Sequence, residues 1–506
     1  MIRMLLSILA CVTFSTAIAQ THALSLDAQV TKDYEKLKKG TTVRIDSVSR
    51  ESVQLSSPAT GAASFAEIYM LSIGDLKVPV KNSLEDRLAF QPTDIQGLWD
   101  GYMIGRVLPL MQKFGPQTEL REEREGDVLQ YLQRIKSNGQ TLNDPCLEYY
   151  LYGLLAKIAP RRMIDGRPYH MNVTVCDDPT ANAAMYPNGT LVLNTGLLAA
   201  LHTEDELVAI LAHETAHYVL DHSIQNINKM VQRQKRAEFW AALATGVTAV
   251  AEGVAAAKSP YYVPGAATLG VAVLSSTIAT EVIKRLGMEY NHQQELEADL
   301  IAKKVLHMLG YEKNALATAL NRLSETIEAE HGKALYFASY THPELASRIR
   351  LAGDPQPLTS NMFERQVSFA VTETARLKYE AKRFGRALDL VSQNIANNVA
   401  TPRDYLLKAY CLLALHDTPQ TNEEALEAVV RAKELDPNDL NGFKAEIVVR
   451  LRMRQIGEAV QLLEAYRIRL ENELAAANPS TGEFAAAELT WAKHMRIKLA
   501  GMYPHA

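Results

Sequence analysis

The spacing of apolar side chains divides the chain into three parts. From about residue 24 to 95, the apolar residues fall in short runs that polar residues interrupt, as at Val43, Ile45 and Val48. Short runs of this kind predict strands joined as a hairpin. No chemical motif falls here, so we interpret residues 24–95 as a β-rich accessory segment outside the active site.

Helical spacing follows the β-rich segment. Residues 127–136 and 144–159 place apolar side chains at helical intervals. Residues 170–176 alternate as in a strand, and residues 190–193 predict a second strand. We therefore assign residues 96–360 to one mainly helical domain with a small sheet.

Thr203 marks the start of a further predicted helix. It is a favourable N-cap residue, and Glu206 three positions later completes the signature of a capping box. Leu207, Ile210 and Leu211 then follow at helical spacing and are expected to face the core. The pattern predicts a helix that begins near residue 204.

An apolar insert follows this helix, at 239–283. Residues 239–257 and 263–280 are each close to the length of a membrane span, but both are poor in Leu, Ile and Phe. We favour a soluble helical hairpin packed over or beside the cleft. A membrane hairpin is the alternative, and in either form the insert is the candidate for peripheral membrane contact.

The last third of the chain contains a weak repeat. Ala425 and Ala459 are 34 residues apart, which is the tetratricopeptide period. Pro437 stands where the second helix of such a repeat should end. We predict a tetratricopeptide-like helical array over residues 366–500, whose concave surface would bind protein partners. An ordinary helical domain is the alternative.

Composition narrows the function classes. Charged residues make up 22% of the 506 positions and hydrophobic residues 47%, as in folded globular proteins. The net charge is −5, so the composition gives no indication of a general affinity for nucleic acid.

The first residues have the features of an export signal. A positive start at Arg3 precedes an apolar run over residues 5–14, and Ala17-Ile18-Ala19 matches a small-x-small cleavage site. We predict a signal peptide over residues 1–19 and a periplasmic mature chain, with membrane association as a further option. An uncleaved anchor is the alternative, although the run is short for a bilayer span.

Three cysteines would remain after cleavage, at Cys146, Cys176 and Cys411. An odd number leaves at least one thiol unpaired within a monomer. A Cys146–Cys176 disulfide and three buried free thiols are both open interpretations. The sequence contains no CxxC pair, so a cysteine zinc site has no support.

The main candidate chemistry lies in the run His213-Glu214-Thr215-Ala216-His217. Two histidines four apart share one helix face and can bind one Zn²⁺. Glu214 cannot reach the metal well from between them, but it can act as the general base that takes a proton from water. The pattern predicts peptide hydrolysis with one zinc ion per chain.

A second acidic run supplies the third ligand. Glu295 and Asp299 are four apart, so Glu295 can point at the metal while Asp299 accepts the ring N–H of a ligand histidine. Glu297 lies on another face and is the weaker ligand candidate. His222 is five residues after His217 and off the ligand face, so we interpret it as structural or as a surface residue.

A third cluster contains His342 and Arg348. His342 could stabilise the oxyanion of the tetrahedral intermediate, or occupy the open metal position when substrate is absent. The alternative is that both residues only fix a loop against the core.

These motifs resemble the HtpX-like, CAAX-prenyl-protease family of zinc metallopeptidases. The resemblance implies a zincin-type domain in which Glu295 is the third zinc ligand and the strand at Leu191, Val192 and Leu193 pairs with extended substrate. The matching motifs are Asn182-Ala183, Pro187-x-Gly189, Asn194-Thr195-Gly196-Leu197-Leu198, His213-Glu-x-x-His217, Glu295-x-x-Ala-Asp299 and His342-Pro343 with Arg348-Ile349.

The layout is similar to that of the periplasmic β-barrel assembly-enhancing proteases within that family. We predict an α+β chain: a mainly helical zincin-type domain with a small sheet, an N-terminal β-rich segment and an all-α C-terminal array. The leading functional hypothesis is an exported zinc endopeptidase that cleaves misfolded or stalled envelope proteins in outer-membrane quality control. The alternatives are a chaperone or scaffold with a silenced protease site, and a protease anchored in the membrane by the insert.

Overall fold

The computed structural model describes most of the chain. The described residues are 20–56, 63–80, 87–114, 118–244, 286–331, 342, 345–358, 362–476 and 479–503. The expected signal peptide and nearly all of the apolar insert lie outside them. Within these residues, no helix combines the length and the apolar character that a bilayer span requires.

Five antiparallel strands form the N-terminal sheet. They are β1 (Gln20–Val30), β2 (Thr42–Ser56), β3 (Ala63–Ile73), β4 (Leu76–Pro79) and β5 (Leu88–Gln91). Their order is β4-β3-β2-β1-β5. The strands expected from the short apolar runs are therefore present.

The central region is mainly helical. Its described helices are α1 (Ile95–Tyr102), a π-helix (Met103–Val107), α2 (Leu108–Phe114), α3 (Thr118–Ser137), α4 (Pro145–Ile158), α5 (Thr195–Ala200), α6 (Glu204–Val219), α7 (His222–Ala244), α8 (His292–Leu309), α9 (Ala315–His331) and α10 (Leu345–Ala352). The predicted helices near 127–136, 144–159 and 204 correspond to α3, α4 and α6.

One hydrophobic core joins the N-terminal sheet to these helices. Leu26 and Ile45 from the sheet are buried in the same cluster as Trp99 of α1 and Leu155 of α4. The Trp99 indole N–H also donates to the carbonyl of Ile158 at 2.8 Å. The sheet is thus packed into the central region as part of its core.

A second, three-stranded sheet borders α6. It contains β6 (Asn172–Cys176), β7 (Ala183–Met185) and β8 (Thr190–Asn194). The order is β6-β8-β7, with β8 parallel to β6 and antiparallel to β7. The prediction that Leu191, Val192 and Leu193 form the substrate-pairing edge is therefore wrong. Those residues lie in the central strand, whose backbone is paired on both sides, and the edge strand beside α6 is β7.

The start of α6 follows the prediction only in part. The Thr203 hydroxyl accepts the Glu206 backbone N–H at 3.2 Å, as an N-cap does. The Glu206 carboxylate, however, accepts the backbone N–H of His202 at 2.7 Å and pairs with Arg322 at 2.7 Å. The expected capping box is therefore half formed, because a tertiary partner holds the glutamate.

The end of α6 is fixed by a buried arginine. Arg167 donates to the carbonyls of Tyr218 and Val219 at 2.5 and 2.6 Å, two of the carbonyls that a helix end leaves without intrahelical partners. Asp221 next turns the chain with φ +60°, and Arg121 pairs with it at 2.5 Å. The chain therefore leaves α6 sharply and enters α7 at His222.

Seven helices are described after the central region. They are α11 (Phe363–Glu380), α12 (Phe384–Ala396), α13 (Pro402–Leu415), α14 (Pro419–Leu435), α15 (Leu440–Arg452), α16 (Ile456–Ala475) and α17 (Pro479–Met502). Each packs against the next, and Ala425 and Ala459 are fully buried between helices. Helix α14 ends two residues before Pro437, as expected. The helical array is present, and its assignment as tetratricopeptide repeats stays a prediction.

The array is joined to the central region through its first helix. Phe363, Val367 and Val371 of α11 are buried in the central core, and α11 packs on α5. Arg376 on the same helix pairs with Asp177, just after β6, at 2.7 Å.

The three cysteines among the described residues are free thiols. Cys146 is exposed at the start of α4, whereas Cys176 and Cys411 are buried. The Cys146–Cys176 disulfide is therefore a wrong prediction, since the Cys176 side chain packs into an apolar cluster while Cys146 faces solvent. Burial raises the pKa of the Cys176 thiol to about 12.

Candidate metal centre

Helix α6 presents three polar side chains at one buried place. His213, Glu214 and His217 are each no more than 2% exposed. The four-residue spacing puts both imidazoles on one face, and their Nε2 atoms are 3.0 Å apart. Buried polar groups of this kind need partners, and here they converge on a common point.

Helix α8 brings a carboxylate to the same point. Asn291 begins the helix with a reciprocal capping box to Gln294, and Glu295 follows in the first turn. The Glu295 carboxylate oxygens lie 3.5 Å from His213 Nε2 and 3.4 Å from His217 Nε2. A tetrahedral metal with bonds of 2.0–2.1 Å places its ligand atoms about 3.3 Å apart. The donor set therefore fits a metal such as zinc.

His342 lies against these three side chains. Its Nδ1 is 3.1 Å from Glu295, and its Nε2 is 3.2 Å from Glu214. Among the described residues, these are the side chains that could share a cation: His213, His217, Glu295 and His342, with candidate ligand atoms all within 4.8 Å. His342 is therefore near enough to be a fourth ligand, and that role, one of the two considered from the sequence, stays a prediction.

Asp299 and Arg348 contact the candidate ligands His213 and Glu295. Asp299 is 2.9 Å from the Nδ1 of His213, and Arg348 donates to both Asp299 oxygens at 2.7 and 2.8 Å. Arg348 Nη1 also contacts Glu295 at 2.5 Å. Arg348 is 2% exposed, so it acts as a buried counter-charge for two carboxylates.

The pKa values reflect this crowding. Burial and the Arg348 charge lower the pKa of His213, but hydrogen bonds with Asp299 and Glu295 outweigh them and raise it to about 9. Burial dominates at His217 and holds its pKa well below the usual value. Burial alone would raise the pKa of Glu295, yet the adjacent histidines and guanidinium hold it well below its usual value. The Asp299 pKa is also held below its usual value, although burial alone would raise it, because Arg348 and His213 hydrogen-bond to it, so both carboxylates are ionised.

Glu214 is held at the mouth of the cluster. One carboxylate oxygen accepts the backbone N–H of Met185 at 3.0 Å, and the other faces His342. It therefore lies between the ligand atoms and the edge strand β7, where a general base could take a proton from the water that attacks a peptide carbonyl.

A cleft of about 50 Å³ opens between the cluster and β7. Its walls include Asn182, Ala183, Leu197 and Leu323 as well as the site itself. The backbones of residues 182, 184 and 186 pair with β8, so those of residues 183 and 185 point away from the sheet. Because the Met185 N–H donates to Glu214, the free edge of β7, judged among the described residues, consists of the N–H and carbonyl of Ala183 and the carbonyl of Met185. This edge can accept an extended chain by β-augmentation.

Two buried neighbours of the cluster, His222 and Tyr290, were not placed beside it by the sequence. His222 is 1% exposed, and its Nδ1 lies 2.9 Å from the Nδ1 of His217. The sequence argument assumed that α6 continues past His217, whereas the turn at Asp221 swings His222 back toward the site. Tyr290 stacks on His217, with ring centroids 3.7 Å apart at 16°. No spacing signal could have identified it, because it follows the apolar insert and reaches the site only through the tertiary fold.

Comparison with known proteins identifies this region. The family model "Peptidase family M48" matches residues 148–355. The Escherichia coli (strain K12) β-barrel assembly-enhancing protease is 27% identical over 230 residues, covering 45% of this chain and 42% of that protein. The mitochondrial metalloendopeptidase OMA1 of Schizosaccharomyces pombe is 31% identical over 177 residues, covering 35% and 44%. The CAAX prenyl protease 1 homolog of Arabidopsis thaliana is 28% identical over 176 residues, covering 34% and 39%.

The matches are confined to one part of each protein. This chain spans less than half the length of the curated relatives that it matches. The matched residues include α6, α8 and His342, which together form the cluster described above. The resemblance inferred from the motifs is confirmed: the chain contains a peptidase family M48 domain, which is a metalloprotease domain, between residues 148 and 355.

Proposed function

We propose that the chain is a zinc-dependent endopeptidase in which His213, His217 and Glu295 hold the metal. The observation that carries the proposal is the triangle of donor atoms, 3.0, 3.4 and 3.5 Å on its sides, with the Glu214 carboxylate beside it. A zinc ion bound there would supply Lewis acidity to a peptide carbonyl and acidify a water molecule.

The protein's own groups then have separate tasks. The free edge of β7 binds the substrate backbone, and the apolar cleft walls exclude water from it. Glu214 takes the proton of the attacking water and passes it to the leaving amine. Asp299 orients His213, while Arg348 holds Glu295 and Asp299 in place.

Envelope protein quality control is the cellular role that we propose. The expected signal peptide and the similarity to the E. coli β-barrel assembly-enhancing protease support an exported, periplasmic enzyme that cleaves misfolded or stalled proteins. The C-terminal helical array would capture protein substrates or partners on its concave face.

The test is casein cleavage by the full chain and by Glu214→Gln. The variant keeps the shape of the side chain but removes the base, so cleavage should fall by a factor of about 100 or more. Glu423→Gln, an exposed change in the helical array, is the matched control and should cleave as the wild type does. Cleavage retained by Glu214→Gln would contradict the proposal.

A gated scaffold is the second candidate, and the position of His342 favours it. His342 contacts both Glu214 and Glu295, so it covers the base and one ligand together. If this contact silences the site, His342→Ala should raise cleavage above that of the wild type. If the wild type and His342→Ala both bind zinc and neither cleaves casein, the result would favour a scaffold without protease activity.

A further inference from the structure

The two candidate ligand histidines differ at the nitrogen that faces away from the metal position. His213 Nδ1 faces a carboxylate, Asp299, at 2.9 Å. His217 Nδ1 faces another imidazole, that of His222, at 2.9 Å. Nothing in the zinc motif itself requires a third histidine, so this contact needs its own explanation.

The tautomers follow from the geometry. If His217 binds metal through Nε2, its Nδ1 carries the proton and donates it. His222 Nδ1 must then accept, which leaves the His222 proton on Nε2. That atom faces Glu297 at 3.6 Å, and the second Glu297 oxygen pairs with Arg106 at 2.7 Å. A chain of four side chains thus runs from the metal position to the surface.

The fold holds this chain from several sides. The turn at Asp221 places His222 at the first residue of α7, and the Gln294 amide donates to the His222 carbonyl at 3.3 Å. Glu297 comes from α8, two residues after Glu295. Arg106 comes from the π-helix, a distortion that often occurs at functional sites.

We propose that His222 is a positioning residue of the metal centre, which accepts the Nδ1 proton of His217 and is itself oriented by Glu297 and Arg106. This inference rests on the proposed zinc function. It gives His222 a role in metal affinity, since outer partners of a ligand histidine fix its tautomer and ring orientation. An imidazole does so without adding another carboxylate to those of Glu214, Glu295 and Asp299.

The test is the zinc dissociation constant of the full chain, measured by competition with a chelator at constant pH. His222→Ala removes the acceptor and should weaken zinc binding about 10–100-fold. His222→Asn places an amide oxygen near the lost Nδ1 and should recover much of that affinity. The Co²⁺-substituted proteins should show the same order in their visible absorption, which reports ligand geometry.

His307→Ala, an exposed change near the end of α8, is the matched control and should bind zinc normally. Thermal unfolding of the metal-free proteins checks that each variant folds. Should His222→Ala fail to fold, Glu297→Ala tests the outer link, with a smaller loss of affinity expected.

The outcomes separate the two proposals. Wild-type affinity in His222→Ala, or equal weakening in the Ala and Asn variants, would overturn the role of His222 while leaving the zinc site standing. No zinc binding by the wild-type chain would overturn the proposed function, and the positioning role with it.

Discussion

At the scale of single residues, the candidate site depends on charge balance as much as on ligand spacing. Two ionised carboxylates, Glu295 and Asp299, lie buried within reach of one guanidinium, that of Arg348. Without a counter-ion, two buried carboxylates would each lose hydration without compensation. Arg348 therefore contributes to the stability of the metal-free fold and keeps Glu295 aimed at the histidines.

Arg348→Met tests this balance. Removing the buried cation should lower the free energy of unfolding of the metal-free protein by about 3–5 kcal/mol. Added zinc should restore part of that loss, because it supplies positive charge to the same carboxylates. Urea unfolding with and without zinc measures both effects. Arg350→Met, exposed on the same helix, is the control, and an equal loss in both variants would contradict the account.

The residues that could be predicted are those fixed by local spacing. His213 and His217, and likewise Glu295 and Asp299, share faces because a helix repeats every 3.6 residues. His222 could not be placed, because its position depends on a turn with positive φ at Asp221.

At the scale of elements, the ends of α6 position its candidate ligands and base, and the strand order of the small sheet decides which strand lies beside them. Spacing predicted α6 and two of the three strands, but strand order depends on tertiary pairing that the chain pattern does not contain. Spacing therefore does not identify β7, only three residues long, as the edge strand, and the resemblance alone does not distinguish it from β8. The C-terminal end of α6 is held by Arg167 and by the Asp221–Arg121 pair.

Asp221→Asn tests the end of α6 through pH. Burial alone would raise the pKa of Asp221, but Arg121 and Arg167 outweigh it and hold the pKa below 3.8. Its ionised form therefore stabilises the fold above pH 3.8, and that contribution is lost as the pH falls toward the lower pKa of the folded state. Asparagine tolerates the positive φ, so mainly the charge is removed.

Urea unfolding measures the free energy of unfolding of both proteins as a function of pH. The range runs from about pH 3 to about pH 6, on both sides of the ordinary pKa of an aspartate. The wild type should be more stable than Asp221→Asn at the highest pH of this range. The difference in their free energies of unfolding should become smaller at the lowest pH. A difference that grows as the pH falls would contradict the assignment.

Ala183→Pro tests the free edge of β7. The Ala183 N–H points away from β8, so proline would remove a donor to substrate and spare the pairing within the sheet. The KM for an extended peptide should rise while zinc content stays unchanged. Ala183→Gly keeps the N–H and should retain a KM near that of the wild type. Equal KM values for the proline and glycine variants would count against β-augmentation at this edge.

At the scale of the whole molecule, the helical array and the metalloprotease domain share packing. The sequence placed the end of the domain at residue 360 and the start of the array at 366. Phe363, Val367 and Val371 of α11, however, are buried in the core that also contains α6. The predicted array begins within α11, but the sequence pattern does not show that this helix completes the core of the preceding domain.

Truncation tests this junction. A chain that ends at residue 360 loses α11 and exposes the core that it covers, at a cost of about 1.5–3 kcal/mol for each large apolar side chain. A chain that ends at residue 398 keeps α11 and α12 and should unfold at a higher temperature. Thermal unfolding followed by circular dichroism compares them, and equal midpoints would mean that α11 is dispensable to the domain.

The central claim is that His213, His217 and Glu295 bind one zinc ion, and native mass spectrometry of the purified chain tests it most directly. The account predicts one zinc per wild-type chain, retention in Glu214→Gln, and loss in a His213→Ala/His217→Ala double variant that remains folded. A wild-type chain without zinc, or a double variant that keeps it, would contradict the account.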